Sequence, residues 1–460
     1  MATGSITGHG DPIAPVILGV TGILAFAIIG RVAARKMGQP TVLGELLMGI
    51  LLGNVAWYLG IDLIALLREG PRIFELVHQI LAGAPVADAA IDMFGAEKGA
   101  EVARIITGPH GGELMQVAQS VDTFSRYGVI FLLFMVGLQT DLDEMREVGA
   151  DSIRVALLGV ALPLLLGFAT VWLLQPALTF SAALFVAATL CATSIGITAN
   201  VLEDLKFDTS REGHIILGAA VYDDILGLML LAIVSGIVIT GSLEVFQVFK
   251  VVALSALFLV AAAALGPTIV RASAKLMARL DLVEAKMFTS YLFVMVLAWA
   301  ANLAGLATII GAFAAGVILH DSYFYQHQDR RLRRVITIRQ LIMPLEVVLV
   351  PIFFILIGVQ VKLESFMSLP VLIIAGGLLV AAVIGKLASG IGARRPARRL
   401  VIGVGMMPRG EVGLVFAAIG RTLGVIDDAM FAAIVLMVIV TTLAAPPWLK
   451  ALVGNRAAVS

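Results

Sequence analysis

At 460 residues, 60% hydrophobic and only 14% charged, with a mean hydropathy of +1.01, the chain carries far less charge than the roughly 25% usual in a soluble protein. Its formal charges sum to zero, which argues against a nucleic-acid partner. A single cysteine, Cys191, excludes an intramolecular disulfide, and no basic stretch precedes the first apolar run, so a cleavable signal peptide is not expected.

A helix crossing a bilayer needs about 20 mostly apolar residues. In chain order such segments fall at 12–34, 41–62, 123–140, 152–175, 178–202, 212–240, 246–270, 286–303, 305–320, 340–361, 368–391, 399–420 and 427–449. The expectation is an all-α polytopic membrane protein of about 13 transmembrane helices, filling 1–450 and followed by a short tail, 451–460. The long hydrophilic segment at 63–122 reads as an extracytoplasmic insertion. Within it, Arg68–Leu81 and Ala87–Ile106 have the pattern of amphipathic helices lying on the outer surface, with Gly83, Gly108, Gly111 and Gly112 as breaks.

Basic residues set the orientation. With the N-terminus outside, the cytoplasmic segments hold Arg31, Arg35, Lys36, Arg271, Lys275, Arg279, Lys286, Arg330, Arg331, Arg333, Arg334, Arg394, Arg395, Arg398 and Arg399. The short outer loops hold little beyond Lys250, Lys362 and Arg421, and the long insertion adds Arg68, Arg72, Lys98 and Arg104. The bias places the N-terminus outside and the C-terminus in the cytoplasm of a bacterial inner membrane.

Six helices, a linker helix and six more can accommodate an inverted repeat. The fifth helix of each half holds a polar, glycine-interrupted stretch, Cys191 to Asn200 in the first and Gly405 to Gly413 in the second. Interrupted helices in corresponding positions are the best sequence pointer to a transporter binding site. Freed carbonyls there can coordinate a cation and helix ends can offset charge.

Ionisable groups at membrane depth cost at least about 2.5 kcal/mol each on insertion scales. Asp223 lies about eleven residues into its helix, hence about 16 Å deep at about 1.5 Å per residue, and Asp224 points about 100° away from it. One carboxylate can line an aqueous cavity while the other meets a partner. The partner candidate is Lys386, alone in an apolar helix, with a side chain long enough to reach inward. Asp224 cannot hold a cation and a proton together in a dry site, so competition at that carboxylate is sufficient for coupled exchange. Thr193 and Ser194 would add neutral oxygens suited to a hard monovalent cation such as Na+.

Blander roles stand beside these. Arg409 and Glu411 are expected mainly as counter-charges to the broken helix. Thr193 and Ser194 could be back-bonding hydroxyls, and Lys386 a purely structural ion-pair partner. Asn302 reads as a helix–helix hydrogen bond, His214 as a solvated interfacial residue and Cys191 as packing. An intramembrane aspartyl protease would need a second motif, but the nearest match, Gly403-Val-Gly405-Met406, lacks its carboxylate. A cation channel would want charge rings or a carbonyl filter, and neither is evident. No enzyme activity and no cofactor are expected.

The stretch from Thr193 through Glu203, followed by Arg211 through Gly227, closely resembles bacterial antiporters of the monovalent cation:proton antiporter-2 family. Gly38 to Glu45, Phe131 to Leu138, Gly311 to Gly316 and Met407 to Val412 fit the same pattern. The resemblance covers about 15–62 and 124–450. It implies a thirteen-helix fold with two broken helices crossing in a core (152–240 and 368–449) beside a dimer scaffold (12–62, 123–140 and 246–361). It implies a homodimer in the lipid bilayer, an elevator-like movement, and the NapA-like branch of electrogenic Na+/H+ (or Li+/H+) exchangers. In that branch the residue matching Asp224 carries the ion, the one matching Asp223 pairs with a lysine matching Lys386, and Thr193 and Ser194 match the crossover. The runner-up is a K+/H+ exchanger on the same scaffold. The insertion at 63–122 is longer than that branch leads one to expect.

Overall fold

The computed structural model describes residues 11, 13–140, 149–240, 245–277, 280–324 and 336–454. Arg279, Arg330, Arg331, Arg333 and Arg334, counted above toward orientation, lie outside the described residues, as does the end of the tail, 455–460. Every α-helix or strand element among the described residues is an α-helix, in the order α1 (Ala14–Lys36), α2 (Thr41–Tyr58), α3 (Asp62–Arg68), α4 (Pro71–Leu81), α5 (Val86–Phe94), α6 (Ala96–Thr107), α7 (Gly111–Gln139), α8 (Ala150–Leu174), α9 (Phe180–Thr189), α10 (Ile195–Asp204), α11 (Arg211–Thr240), α12 (Val245–Leu276), α13 (Leu282–Leu303), α14 (Thr308–Ile318), α15 (Ile338–Val359), α16 (Leu369–Ser389), α17 (Arg399–Gly405), α18 (Glu411–Thr422) and α19 (Asp428–Gly454).

Ten of these helices are long and apolar enough to cross a membrane. The expected spans at 178–202 and 399–420 are each broken in two, α9 with α10 and α17 with α18. The remaining short span, α14, is only 11 residues long, less than a bilayer requires of a lipid-exposed helix. It is tolerated because Ile309 through Gly316 are buried by protein, the setting in which a short helix is admissible at membrane depth.

The helices pack in two sets. In one, α15 lies against α7 and α2, α14 against α7 and α13, and α1 against α2. In the other, α8 packs on α16, α11 and α9, and α19 on α16 and α18. Hydrophobic contact continues across the boundary, where Phe313, Phe353 and Phe354 join a cluster with Phe185, Phe416 and Phe431.

The insertion differs from the expected pair of surface helices. It forms four short helices, α3–α6, closed around their own apolar core of Leu66, Ile73, Leu76, Ala90, Val102, Ile105 and Ile106. The expected helix over Ala87–Ile106 divides at Gly95, whose φ of 82° is a backbone conformation that other residues adopt only under strain. Gly111 and Gly112 do not break the chain. They open α7, which runs unbroken into the membrane segment, so the expected span at 123–140 is the second part of a longer helix.

Candidate functional site

The two broken helices meet at their breaks. In the first pair, Leu190 to Ser194 leave the helix; in the second, Met406 to Gly410 do so. The freed backbone groups find partners across the crossing rather than along it, as groups at membrane depth must. The Ser194 amide donates to the Pro408 carbonyl at 2.9 Å. Thr193 Oγ1 donates to the Met406 carbonyl at 3.2 Å, and Thr198 Oγ1 to that of Gly405 at 2.7 Å. Arg409, fully buried, extends NH1 to the carbonyls of Ala192 at 2.7 Å and Cys191 at 3.2 Å. Its own carbonyl accepts from Thr442 Oγ1 of α19. A guanidinium is thus aimed at carbonyls of the break just past the end of α9, where the helix carries partial negative charge. The crossing depends on Gly410, because a Cβ there would sit 2.6 Å from both Cβ and Oγ of Ser194.

α11 and α16 pass beside this crossing and bring the buried charges. Lys386 Nζ lies 2.9 Å from Asp223 Oδ1, with both side chains fully buried. Gly159 of α8 leaves room for the pair, since a Cβ there would stand 3.3 Å from the lysine nitrogen. Asp224, 4% exposed, is one residue on and faces elsewhere. Its Oδ1 is buried with no hydrogen-bond partner. Asp224 lies in the fields of Asp223, Glu411 and Lys386, and Glu411 in turn accepts from Ser194 Oγ at 3.1 Å. Asp223, Asp224, Lys386, Ser194, Arg409 and Glu411 therefore gather around the crossing. The Thr193 and Ser194 hydroxyls are turned to Met406 and Glu411, so each spends its proton on the crossing and leaves only lone pairs for a cation.

Other sequence expectations meet different surroundings. Asn302 is exposed on α13 and makes no side-chain hydrogen bond to another helix among the described residues. His214 is exposed at the start of α11, its Nδ1 2.8 Å from the Ser210 carbonyl. Cys191 is buried, its thiol against the Val160 carbonyl. Several charges that hydropathy had assigned to loops are buried and paired. Lys286 meets Asp321 at 2.8 Å, Lys362 meets Asp428 at 2.7 Å, and Arg421 meets Asp428 at 2.6 Å. Glu45 of α2, fully buried, is held by Arg31 at 2.7 Å. Glu346, on α15, lies in the fields of Arg339, Arg31 and Glu411. Apart from Glu45, which closes the Gly38 to Glu45 segment named above, the acids among these gave no signal at the sequence level beyond their presence in or beside apolar segments.

Two broken helices crossing beside a buried carboxylate pair define a class of membrane transporter. The model of the sodium/hydrogen exchanger, transmembrane, family matches residues 99–454, and the chain belongs to that family. It is 35% identical over 451 residues to the high-affinity Na(+)/H(+) antiporter NhaS3 of Synechocystis sp., covering 95% of this chain and 90% of that one. It is 33% identical over 359 residues to the Na(+)/H(+)-K(+) antiporter GerN of Bacillus cereus, covering 76% of this chain and 88% of that one. Among solved structures, the sodium proton antiporter MjNhaP1 from Methanocaldococcus jannaschii superposes with a TM-score of 0.62 over 96% of this chain and 98% of that one. At 15% identity, that likeness speaks for the fold alone. The protein is a multi-pass membrane protein of a transporter family, as the sequence led us to expect, and not an enzyme.

Proposed function

We propose that the protein exchanges Na+ or Li+ for protons across the bacterial inner membrane, with Asp224 as the group for which ion and proton compete. The observation that carries this reading is the buried, unpartnered Oδ1 of Asp224 on a carboxylate with no ion-pair partner among the described residues, beside an Asp223 whose charge is balanced by Lys386 at 2.9 Å. An ionised carboxylate at that depth is costly without a counter-charge, so it takes up either a cation or a proton. The charge of Asp223 is balanced by Lys386, which leaves its neighbour free for this work. Thr193, Ser194 and Glu411 stand at the crossing as further oxygens for a hard cation, while Arg409 neutralises the helix break.

In this reading the set built on α8–α11 and α16–α19 moves as a core against the scaffold of α1, α2, α7 and α12–α15. It exposes Asp224 alternately to either side, in the manner of an elevator. The N-terminus and the insertion lie outside and the C-terminus in the cytoplasm, and the scaffold supports a homodimer. K+ is a second substrate to test, because the relative GerN carries K(+) in its name.

The test is exchange in proteoliposomes with an imposed inside-acid gradient and a pH-sensitive dye. Dissipation on adding Na+ or Li+, lost in Asp224→Asn, is the expected result. A response to K+ as well would broaden the substrate. No response to any of the three across pH 6 to 9 in well-folded protein would overturn the proposal.

A further inference from the structure

We infer that the insertion is a latch, fastened to the scaffold set and gripping the core set through an ion-pair cluster on Lys362. The inference rests on the reading above that the core moves against the scaffold.

The insertion has two kinds of attachment. The first joins it to α2 of the scaffold and to the segment that links α15 to α16. Arg68, at the end of α3 and 2% exposed, stacks over the Trp57 ring of α2 at 4.3 Å. It donates to Asn54 Oδ1 at 2.9 Å and to Glu364 Oε2 at 2.8 Å. Asn54 in turn binds the segment after α15, donating to the Val361 carbonyl at 2.9 Å and accepting from the Leu363 amide at 3.1 Å. Trp57 and Asn54 belong to α2, so the contacts of Arg68 with them do not have to change when the core moves.

The second attachment crosses to the core. Lys362 Nζ, only three residues beyond α15, donates to Glu69 Oε2 of the insertion at 3.0 Å and to Asp428 Oδ2 at the first residue of α19 at 2.7 Å. Arg421, in the last turn of α18, completes the cluster. Its NH2 donates to Asp428 Oδ1 at 2.6 Å and its NH1 to Gln360 Oε1 at 2.9 Å. Gly70, with a φ of +67°, lays its backbone against that guanidinium; a Cβ there would be 2.7 Å from NH2. Lys362 and Arg421 are 5% and 8% exposed, so water does little to loosen the bonds. α18 and α19 are the helices that bear, respectively, the far half of the crossing and Thr442, which holds it. Any sliding of the core along the scaffold must therefore part Asp428 from Lys362 and Arg421 from Gln360. In this structure the latch is closed.

Linking Glu69→Cys to Asp428→Cys tests the latch. Both native carboxylates touch the same Nζ, which puts the pair within reach of a short bis-methanethiosulfonate that joins the two thiols through reducible disulfides, and the native Cys191 is buried and out of reach. Crosslinking should lower Na+-driven exchange in proteoliposomes by at least 10-fold, and reduction should restore it. The same treatment of Asn54→Cys with Arg68→Cys, which ties the insertion to α2 of the scaffold only, should leave exchange at its reduced-state rate. Unchanged exchange in the crosslinked 69/428 pair would overturn the latch. If the 69/428 pair is inactive before crosslinking, Glu69→Gln decides instead. A turnover changed at least twofold at unchanged half-saturating Na+ supports the latch, and unchanged turnover overturns it. Absence of exchange in the unmodified protein would remove the transport reading itself, and the latch with it, so the two failures are distinct.

Discussion

Lys386 and Asp223 form a fully buried ion pair at 2.9 Å, and the pair leaves the next carboxylate in the chain, Asp224, with a buried oxygen that nothing satisfies. Adjacent residues on one helix thus hold opposite positions: one carboxylate is neutralised by the protein and the other is left to be neutralised from outside it.

Breaking the pair from either end should destabilise the fold, because removing one partner strands the other as an uncompensated buried charge, at about 3–5 kcal/mol. Asp223→Asn and Lys386→Gln should each lower the thermal midpoint of the detergent-solubilised protein. Asp223→Asn with Lys386→Gln should lose less than the sum of the two, as expected of coupled neighbours. Additive losses in the double-mutant cycle would mean that the pair is not coupled.

Asp224→Asn should behave differently. No ion pair is lost, so the thermal midpoint should match or exceed that of the native protein, while Na+-driven exchange falls to the level of empty liposomes. A variant that retains exchange would exclude Asp224 as the carrier.

Gly410→Ala should damage the crossing. The added methyl would meet Ser194 at 2.6 Å, and overpacking of this kind costs about 1–3 kcal/mol. Exchange should fall with the thermal midpoint, whereas Gly376→Ala, where a Cβ meets nothing within 4 Å, should change neither. Equal behaviour of the two variants would show that the close approach at the crossing is unimportant.

Lys362 sets a pH window for the cluster on the insertion side. Burial lowers its pKa, but the Glu69 and Asp428 carboxylates outweigh that and hold it above its ordinary value. A lysine raised in the folded state contributes stability that is complete below its unfolded pKa, about 10.4, and lost as pH rises through the folded value. The difference in thermal midpoint between the native protein and Lys362→Met should therefore stay constant from pH 6 to 9 and shrink only above about pH 10.4. A difference that already vanishes by pH 8 would contradict this ion pairing.

Hydropathy, glycine interruptions and the few charges inside apolar segments determined a great deal on their own. They gave the long spans, the two interrupted helices, and Asp223, Asp224 and Lys386 as residues with business at membrane depth. These signals are local, because a bilayer judges each segment by about 20 consecutive residues and penalises each stray charge where it stands. Boundaries suffered where glycine was read by type alone: Gly111 opens a helix, while Gly95, which carries the positive φ, ends one.

Only the tertiary structure decided who meets whom. Arg409 reaches carbonyls 217 and 218 positions away, and Lys362 pairs with acids 66 and 293 positions away. In the sequence Lys362 and Arg421 are indistinguishable from solvated loop charges, since a hydropathy window averages over them and knows nothing of the helix ends that fold across them. Whether a charge is a surface residue, a latch or an ion site depends on the distance to its counter-charge and on the water excluded around it. Both quantities exist only once the helices have packed.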